Sequence, residues 1–491
     1  MRVVRNTQMQ LGEIDVSQIK FDLHSRDDIP KVLRGLQHLY LNETLREQVF
    51  ALLENEIAPT VNKQNGRPGM TLWRILVFGV LRLDLNIDYD RLHELSNQHR
   101  TLRQMLGHGL YDEDRKYAYQ TLVDNVGLLT PELLDKLNQV IVAGGHALVK
   151  KKDGAALRGR CDSFVVETDV HFPTDINLLW DAMRKAITLT AQWSENQQHS
   201  DWRQYRYNLR LLKRKLREVQ QSKRRASTDQ KPIQVIQAHQ RYLNQAQYYL
   251  NKIQTTLPKL IATTATERLL SIEIEGYIRH ARRQISQIER RVMQNETILH
   301  EEKVFSVFEP HTEWISKGKA GVPVELGVKV CILEDQHQFI LHHHVMTKQT
   351  DDRIAVEMVT EARKRFPALS ACSFDKGFHS PANQTELARQ LDQVTLPKKG
   401  KLSKARQAVE QAEEFTRARH AHSAVESAIH ALEVHGLDKC PDHGINGFKR
   451  YVALAVVARN IRRIGDILWQ REEAQERKAS ARRNSKYRRT A

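Results

Sequence analysis

The sequence predicts an α/β fold: a mixed sheet with flanking helices, interrupted after its first strand by a long helical insertion. Three observations predict it. Short runs rich in β-branched and aromatic residues (161–168, 324–332, 339–345 and 369–374) alternate with stretches of helical period. The second and third runs flank Glu334, Asp335 and Gln336, the turn of a hairpin, whereas a helix separates the third from the fourth. A hairpin plus a crossover gives antiparallel and parallel pairs in one sheet. From Leu178 to about His300, between the first run and the hairpin, apolar residues recur only at helical spacing.

Residues 1–150 read as a helical region. Gly66, Arg67, Pro68 and Gly69 form a turn and Thr71 stands as an N-cap. Leu72, Ile75, Leu76, Val80 and Leu83 then mark a helix, Leu92 and Leu95 a second, and Leu102 and Leu106 a third that ends near Gly107. With Arg91, His99, Arg100 and Arg103 among them, these short helices fit a helix-turn-helix-like DNA reader, in which Arg67, Arg100 and Arg103 contact DNA. A plain helical bundle fits them as well. Thr130 and Pro131 open a further helix, with proline at its first position.

The first strand occupies 161–168, within a sheet-bearing region expected to comprise 155–176 and 301–470. The insertion spans 177–300. Tyr205, Leu209, Leu212, Leu216 and Val219 step by threes and fours; Ile236 to Leu257 and Ile274 to Val292 repeat the pattern. These seams predict two or three long helices packed as a coiled-coil hairpin. Between Arg203 and Arg225 there are ten Lys or Arg against one acid, Glu218. A solvated face is the usual fate of such a run. Ten positive charges would nevertheless repel one another without a polyanion nearby, so Arg210, Lys213 and Arg214 are read as DNA contacts.

After the hairpin, Asp351–Arg365 reads as a helix closed by Phe366 and Pro367, and the strand at 369–374 leads into Asp375. A helix at 385–390, a short strand near Val394 and a loop carrying Lys398, Lys399 and Lys401 follow. Helices are expected at 403–412, 416–435 and 448–469. The tail, 471–491, holds eight Lys or Arg and almost no apolar residue, which predicts a disordered basic segment.

The charge balance of the 491 residues is +17, with 40% hydrophobic residues, so a soluble, polyanion-binding protein is expected. The most apolar stretch, 75–87, is broken by Arg82 and Asp84, and the N-terminus lacks a signal-peptide core, so no membrane partner is expected. The four cysteines include no C-x-x-C pair and fit a reducing cytoplasm. No phosphate loop of the G-x-x-x-x-G-K-[ST] type occurs. His435, Cys440 and His443 match structural zinc patterns poorly.

Three acids stand in settings that suit metal chemistry. Asp162 opens an apolar run, Asp375 ends another, and Glu426 sits near the apolar face of a helix defined by Val425, Ile429 and Leu432. Carboxylates that converge on two Mg²⁺ ions about 3.5–4 Å apart can activate an oxygen nucleophile and relieve charge on a leaving oxygen. In a basic chain, that points to phosphodiester chemistry on DNA. Asp169 and Asp175 compete with Asp162, Glu433 competes with Glu426, and the Asp375, Lys376, Gly377 sequence is equally a turn.

Four stretches carry a family resemblance: Gly66–Met70 through His99–Met105; Asp162 with Val165, Val166, Glu167 and Thr168; Phe374–Ser380; and His422–His430 with Asp442, Gly447 and Tyr451. In this order they resemble bacterial insertion-sequence transposases of the DDE superfamily, closest to the ISNCY group. The resemblance implies a ribonuclease-H-like catalytic domain holding Mg²⁺, or Mn²⁺ in its place, on Asp162, Asp375 and Glu426. It implies cleavage at the element's ends and joining of the freed 3′-hydroxyls to target DNA. Double-stranded DNA (terminal repeats and target) is then the partner, with Lys398, Lys399 and Lys401 of the loop between the second and third acids on the phosphates of the substrate strand, and a homodimer is expected because two ends must be joined. The setting is a bacterial cytoplasm, with nucleoid association when DNA is bound. Some related transposases place tyrosine and arginine before the glutamate and lysine after it; this chain has Arg419 and His422 before and Glu433 after. The rival readings are a DNA-binding protein derived from a transposase but lacking catalysis, and a metal-dependent nuclease without strand transfer.

Overall fold

The computed structural model describes residues 2–490 apart from 6–7, 10, 58–68, 110, 113, 150–155, 225–230 and 317–322; the side chains of 231–232 and 483–490 also lie outside the description. The turn expected at 66–69, with Arg67, falls largely on those residues. The chain divides into two units, Met1–Asp169 with Lys317–Ala491, and Val170–Ser316.

The first unit begins with helices α1 (Ile29–Leu41), α2 (Glu43–Ile57), α3 (Leu72–Asp84), α4 (Tyr89–Gln98), α5 (Arg100–Met105), α6 (Tyr119–Val126) and α7 (Pro131–Val149). Their starts have local causes. The Asp88 carboxylate accepts the Arg91 amide at 2.8 Å to cap α4, and Thr130 Oγ1 accepts the Leu133 amide at 3.2 Å to cap α7. Helix α3 is apolar nearly all round and is buried over its whole length, so it lies inside the unit. Strand β1 (Leu157–Thr168) follows.

The second unit holds α8 (Asp175–Asn196), α9 (Tyr205–Arg224), α10 (Lys231–Thr256), α11 (Ala265–Met293) and a short strand, β2 (Glu313–Ser316). The expected hairpin of two or three long helices is a bundle of four. Leu212 and Leu216 of α9, Leu250 and Ile253 of α10, and Ile274 and Ile288 of α11 do form buried seams. Ile176, Leu179, Met183 and Ile187 of α8 join the same core. Ile236, counted in the second seam, is 40% exposed. Thr264 and Glu267 close a capping box at the start of α11.

The chain returns to the first unit with β3 (Val324–Asp335), β4 (Ile340–Met346), α12 (Asp351–Arg365), β5 (Leu369–Phe374), α13 (Pro381–Gln390) and β6 (Gln393–Thr395). It ends with α14 (Lys404–Gln411), α15 (Glu413–His422), α16 (Ala424–Leu432), β7 (Lys439–Cys440) and α17 (Gly444–Thr490). Strand β1 is antiparallel to β3, with Asp162 opposite Ile332, and parallel to β5, with Cys161 opposite Phe374. The β3 residues 329–334 pair with β4 as well as with β1, so β4 takes the far edge. Beyond β5 lies β6, parallel to it. Five strands of this unit therefore run β4-β3-β1-β5-β6, and β7 pairs in parallel with the end of β1, Glu167 opposite Lys439, in a mixed sheet as expected.

One hydrophobic core joins the sheet to the N-terminal helices and α17. Two glycines let helices approach there: a Cβ on Gly35 would come 2.2 Å from the Ile461 carbonyl oxygen, and one on Gly465 would come 2.0 Å from that of Lys31. Inside the same unit Arg462 pairs with Asp84 at 2.9 Å and with Asp28. Burial outweighs the attraction of Arg462 and raises the Asp84 carboxyl to about 6. All four cysteines are free and buried, and behave as small apolar residues. Among the described residues no helix is long and apolar enough to cross a membrane.

Two helical expectations change. The stretch 416–435 is not one helix: α15 stops at His422, α16 restarts at Ala424, and the chain after Leu432 leaves helical geometry at His435 and at Gly436, where φ is 104°. The basic tail, expected to be disordered, continues α17 to Thr490. Charge explains its first turns: Arg34 pairs with Glu472 at 2.7 Å, and Glu473 accepts from the Trp469 indole and from Arg477 along the helix.

Candidate functional site

Strand alternation orders the site. Arg158, Arg160 and Asp162 share one face of β1, while Gly159 and Cys161 point to the opposite, apolar face. Asp162 was expected to open its strand; instead it lies in the middle, because pairing begins at Leu157. That depth gives the carboxylate its half-buried setting. Cys161 pairs with Phe374 in parallel register, so the residues that follow them, Asp162 and Asp375, are brought side by side where β5 ends. Asp375 is exposed there.

Glu426 reaches the same place from α16, which packs against β1. Its neighbours Val425, Ala428 and Leu432 are buried, but Glu426 is exposed rather than core-facing. A charged residue on the solvent side of an otherwise buried stripe needs no buried partner, so burial was the wrong reason to single it out.

Electrostatics joins the three. The Asp162 carboxyl is raised from 3.8 to about 6, by burial first and then by the negative fields of Asp375, Asp351 and Glu426, against one lowering hydrogen bond from the Ser163 amide at 2.7 Å. Asp351, at the start of α12, is a fourth acid that the sequence did not single out. Ser163 Oγ donates to it at 2.6 Å and Lys329 pairs with it at 3.0 Å. Gly377 packs beside it: a Cβ there would come 3.1 Å from the Asp351 carboxylate. That close approach, not a positive φ, is the use of glycine after Asp375. No local pattern marks Asp351, whose role depends on where β4 delivers α12.

His422 is the other residue brought in by the fold. Its Nδ1 lies 3.0 Å from Ser373 Oγ, and its Nε2 is buried without a hydrogen-bond partner. Burial keeps the ring neutral, with Arg160 adding to the effect and Asp375 and Glu426 opposing it. Arg160 pairs with Glu334 at 3.4 Å and donates to the Asp335 carbonyl at 2.8 Å.

The rival acids lie elsewhere or are engaged. Asp169 pairs with Lys439 at 2.6 Å beyond the end of β1. Asp175 belongs to the second unit, where it pairs with Arg291 at 2.7 Å. Among the described residues no three His, Cys, Asp or Glu side chains are gathered closely enough to hold a metal ion as they stand. The donors nevertheless suit Mg²⁺ in kind: all are carboxylate oxygens, and their mutual repulsion at Asp162 is what a divalent cation would relieve.

The expected DNA contacts separate into two groups. Arg100, Arg210, Lys213, Arg214, Lys399 and Lys401 are exposed, the Lys213 ammonium lying 5.7 Å over the Trp180 ring. Arg103 is spent inside the fold, donating to the carbonyls of Asp112 at 2.6 Å and Arg115 at 3.2 Å. Lys398 is half-buried and its amide donates to Glu410 at 2.9 Å, which pins the base of the loop. His379, four residues after Asp375, is lowered by burial and then by Arg406 and Lys398, so the basic loop stands near the β5 end.

No family model, curated protein or solved structure matches the chain.

Proposed function

We propose that this protein is a DNA transposase of the DDE type, whose acids Asp162, Asp375 and Glu426 serve phosphodiester cleavage and strand transfer. The observation that carries the reading is the parallel register of β1 and β5, which sets Asp375 beside Asp162 while Glu426 acts on the same carboxylate from α16. The strand order supports it. Counted in chain order, the five strands β1, β3, β4, β5 and β6 lie third-second-first-fourth-fifth across the sheet, with the first three antiparallel and the last two parallel to the first. This is the arrangement a ribonuclease-H-like domain has. The +17 charge and the exposed cations of α9 supply the attraction for DNA.

Asp162, Asp375 and Glu426 would hold Mg²⁺, with Mn²⁺ as a substitute, and the bound metal supplies the activated oxygen nucleophile and the charge relief at the leaving oxygen. Asp162 must be ionised for this, and its raised carboxyl loses its proton above about pH 6. Neutral His422, beside Asp375 and Glu426, can place an N–H toward a phosphate oxygen without adding to the metal's charge. Lys399 and Lys401 hold the phosphates of the strand by charge. Two copies acting together would bring two DNA ends to one target.

The test is divalent-metal-dependent cleavage and joining of DNA bearing the gene's own flanking ends. Wild type is expected to cut and join. Asp162→Asn, Asp375→Asn and Glu426→Gln are expected to bind DNA and do neither. Cutting without joining would make the protein a nuclease. Binding without cutting under any divalent metal would leave a DNA-binding protein without catalysis.

A further inference from the structure

A cavity of about 560 Å³ opens between the sheet and α15, lined by Arg158 and Arg160 of β1, Ala371 and Ser373 of β5, Gln393 of β6, and Arg417 and Ala418 of α15 among others. Ligand pockets commonly have this size. Its position is tied to the acids. Arg160 precedes Asp162 by two residues on the same face of β1, and Ser373 precedes Asp375 in the same way. Ala421, also in the wall, stands near the end of α15, just before the break that leads into α16 and Glu426, and its carbonyl accepts from Arg160 at 3.4 Å. Two residues of strand cover ~7 Å. The cavity therefore adjoins the acids on the sheet face that α15 covers.

Its walls match one chemistry. Three arginines face a single lining acid, Glu414. Arg160 is held by Glu334 and Arg417 by Glu413, whereas Arg158 is exposed. Alanine side chains and guanidinium planes offer a surface on which a base can stack, and the Gln393 amide offers a donor and an acceptor for a base edge. A bare inorganic anion would leave most of such a volume unfilled.

We propose that this cavity binds one nucleotide of the substrate strand, its phosphate on Arg158 and its base between the sheet and α15. It would fix the register in which the neighbouring phosphodiester meets Asp162, Asp375 and Glu426. This rests on the reading of those acids as a phosphodiester site. The energetic case is simple: a base taken from its stack regains contact on the cavity walls.

The probe is 2-aminopurine deoxyribonucleoside 5′-monophosphate, followed by its fluorescence with full-length protein in the absence of divalent metal. Saturable binding is expected for wild type. At least tenfold weaker binding is expected for Arg158→Ala, which removes the phosphate contact, and for Ala418→Trp, which fills the space. Arg158 is exposed, so its variant keeps the test intact should Ala418→Trp fold poorly. Absence of binding by wild type, or wild-type binding by Arg158→Ala, overturns the proposal. Because the readout needs neither metal nor cleavage, failure of the phosphodiester reading shows separately, as wild-type protein that never cuts DNA.

Discussion

Replacing Asp162 by asparagine should stabilise the metal-free protein at neutral pH. The folded chain raises this carboxyl from 3.8 to about 6. Between those values the folded protein keeps a proton that the unfolded chain has released, so stability falls as pH rises through the window and stays reduced above it. Each tenfold is worth about 1.36 kcal/mol, which makes the full penalty about 3 kcal/mol; solvent screening of a half-buried group reduces it to roughly 2 kcal/mol. Asparagine has nearly the same shape, keeps an acceptor for the Ser163 amide and carries no charge toward Asp375, Asp351 and Glu426. Urea unfolding in a chelator, followed by circular dichroism, would show the variant more stable by roughly 2 kcal/mol at about pH 7.5, with the gain vanishing near pH 4. Added Mg²⁺ should then stabilise wild type more than the variant. A variant equal to or less stable than wild type at neutral pH would refute the claim that burial, reinforced by Asp375, Asp351 and Glu426, disfavours the charged Asp162 carboxylate.

Three further outcomes follow from the same contacts. Arg103→Ala should cost about 1 kcal/mol in urea unfolding, from the hydrogen bonds lost to the Asp112 and Arg115 carbonyls, and an unchanged stability with weakened DNA binding would return Arg103 to the DNA-contact group. Gly465→Ala should destabilise by about 3 kcal/mol, because the new Cβ meets the Lys31 carbonyl and neither helix backbone can yield cheaply; a change within about 0.5 kcal/mol would contradict that packing. Changing Arg210, Lys213 and Arg214 together to glutamate should leave the unfolding midpoint unchanged and lower the slope of log affinity against log salt by about 3, if each holds one phosphate; an unchanged slope in a filter-binding titration would make α9 a solvated face.

The sequence by itself determined the class of the fold, the hairpin, the crossover helix α12, the helical insertion and the acids beside β5 and on α16. Period and turn chemistry are local, so they survive without knowledge of neighbours. Local pattern also located Asp162 but put it at a strand's start, because pairing with β3 and β5, not residue type, set where β1 begins. Four matters needed the tertiary structure. The strand order and register place Asp375 beside Asp162 although the two are far apart in the chain. Asp351 and His422 join the acids only because α12 and α15 are laid against the same sheet. The resemblance favoured Asp162 over its rivals, and only the tertiary structure shows Asp169 and Asp175 engaged by Lys439 and Arg291, distant in sequence. The helical tail and the internal use of Arg103 were likewise hidden, since composition records how many charges a segment carries and not which partners reach them. Periodicity reports which way a side chain points along its own element; what stands opposite it is decided by packing.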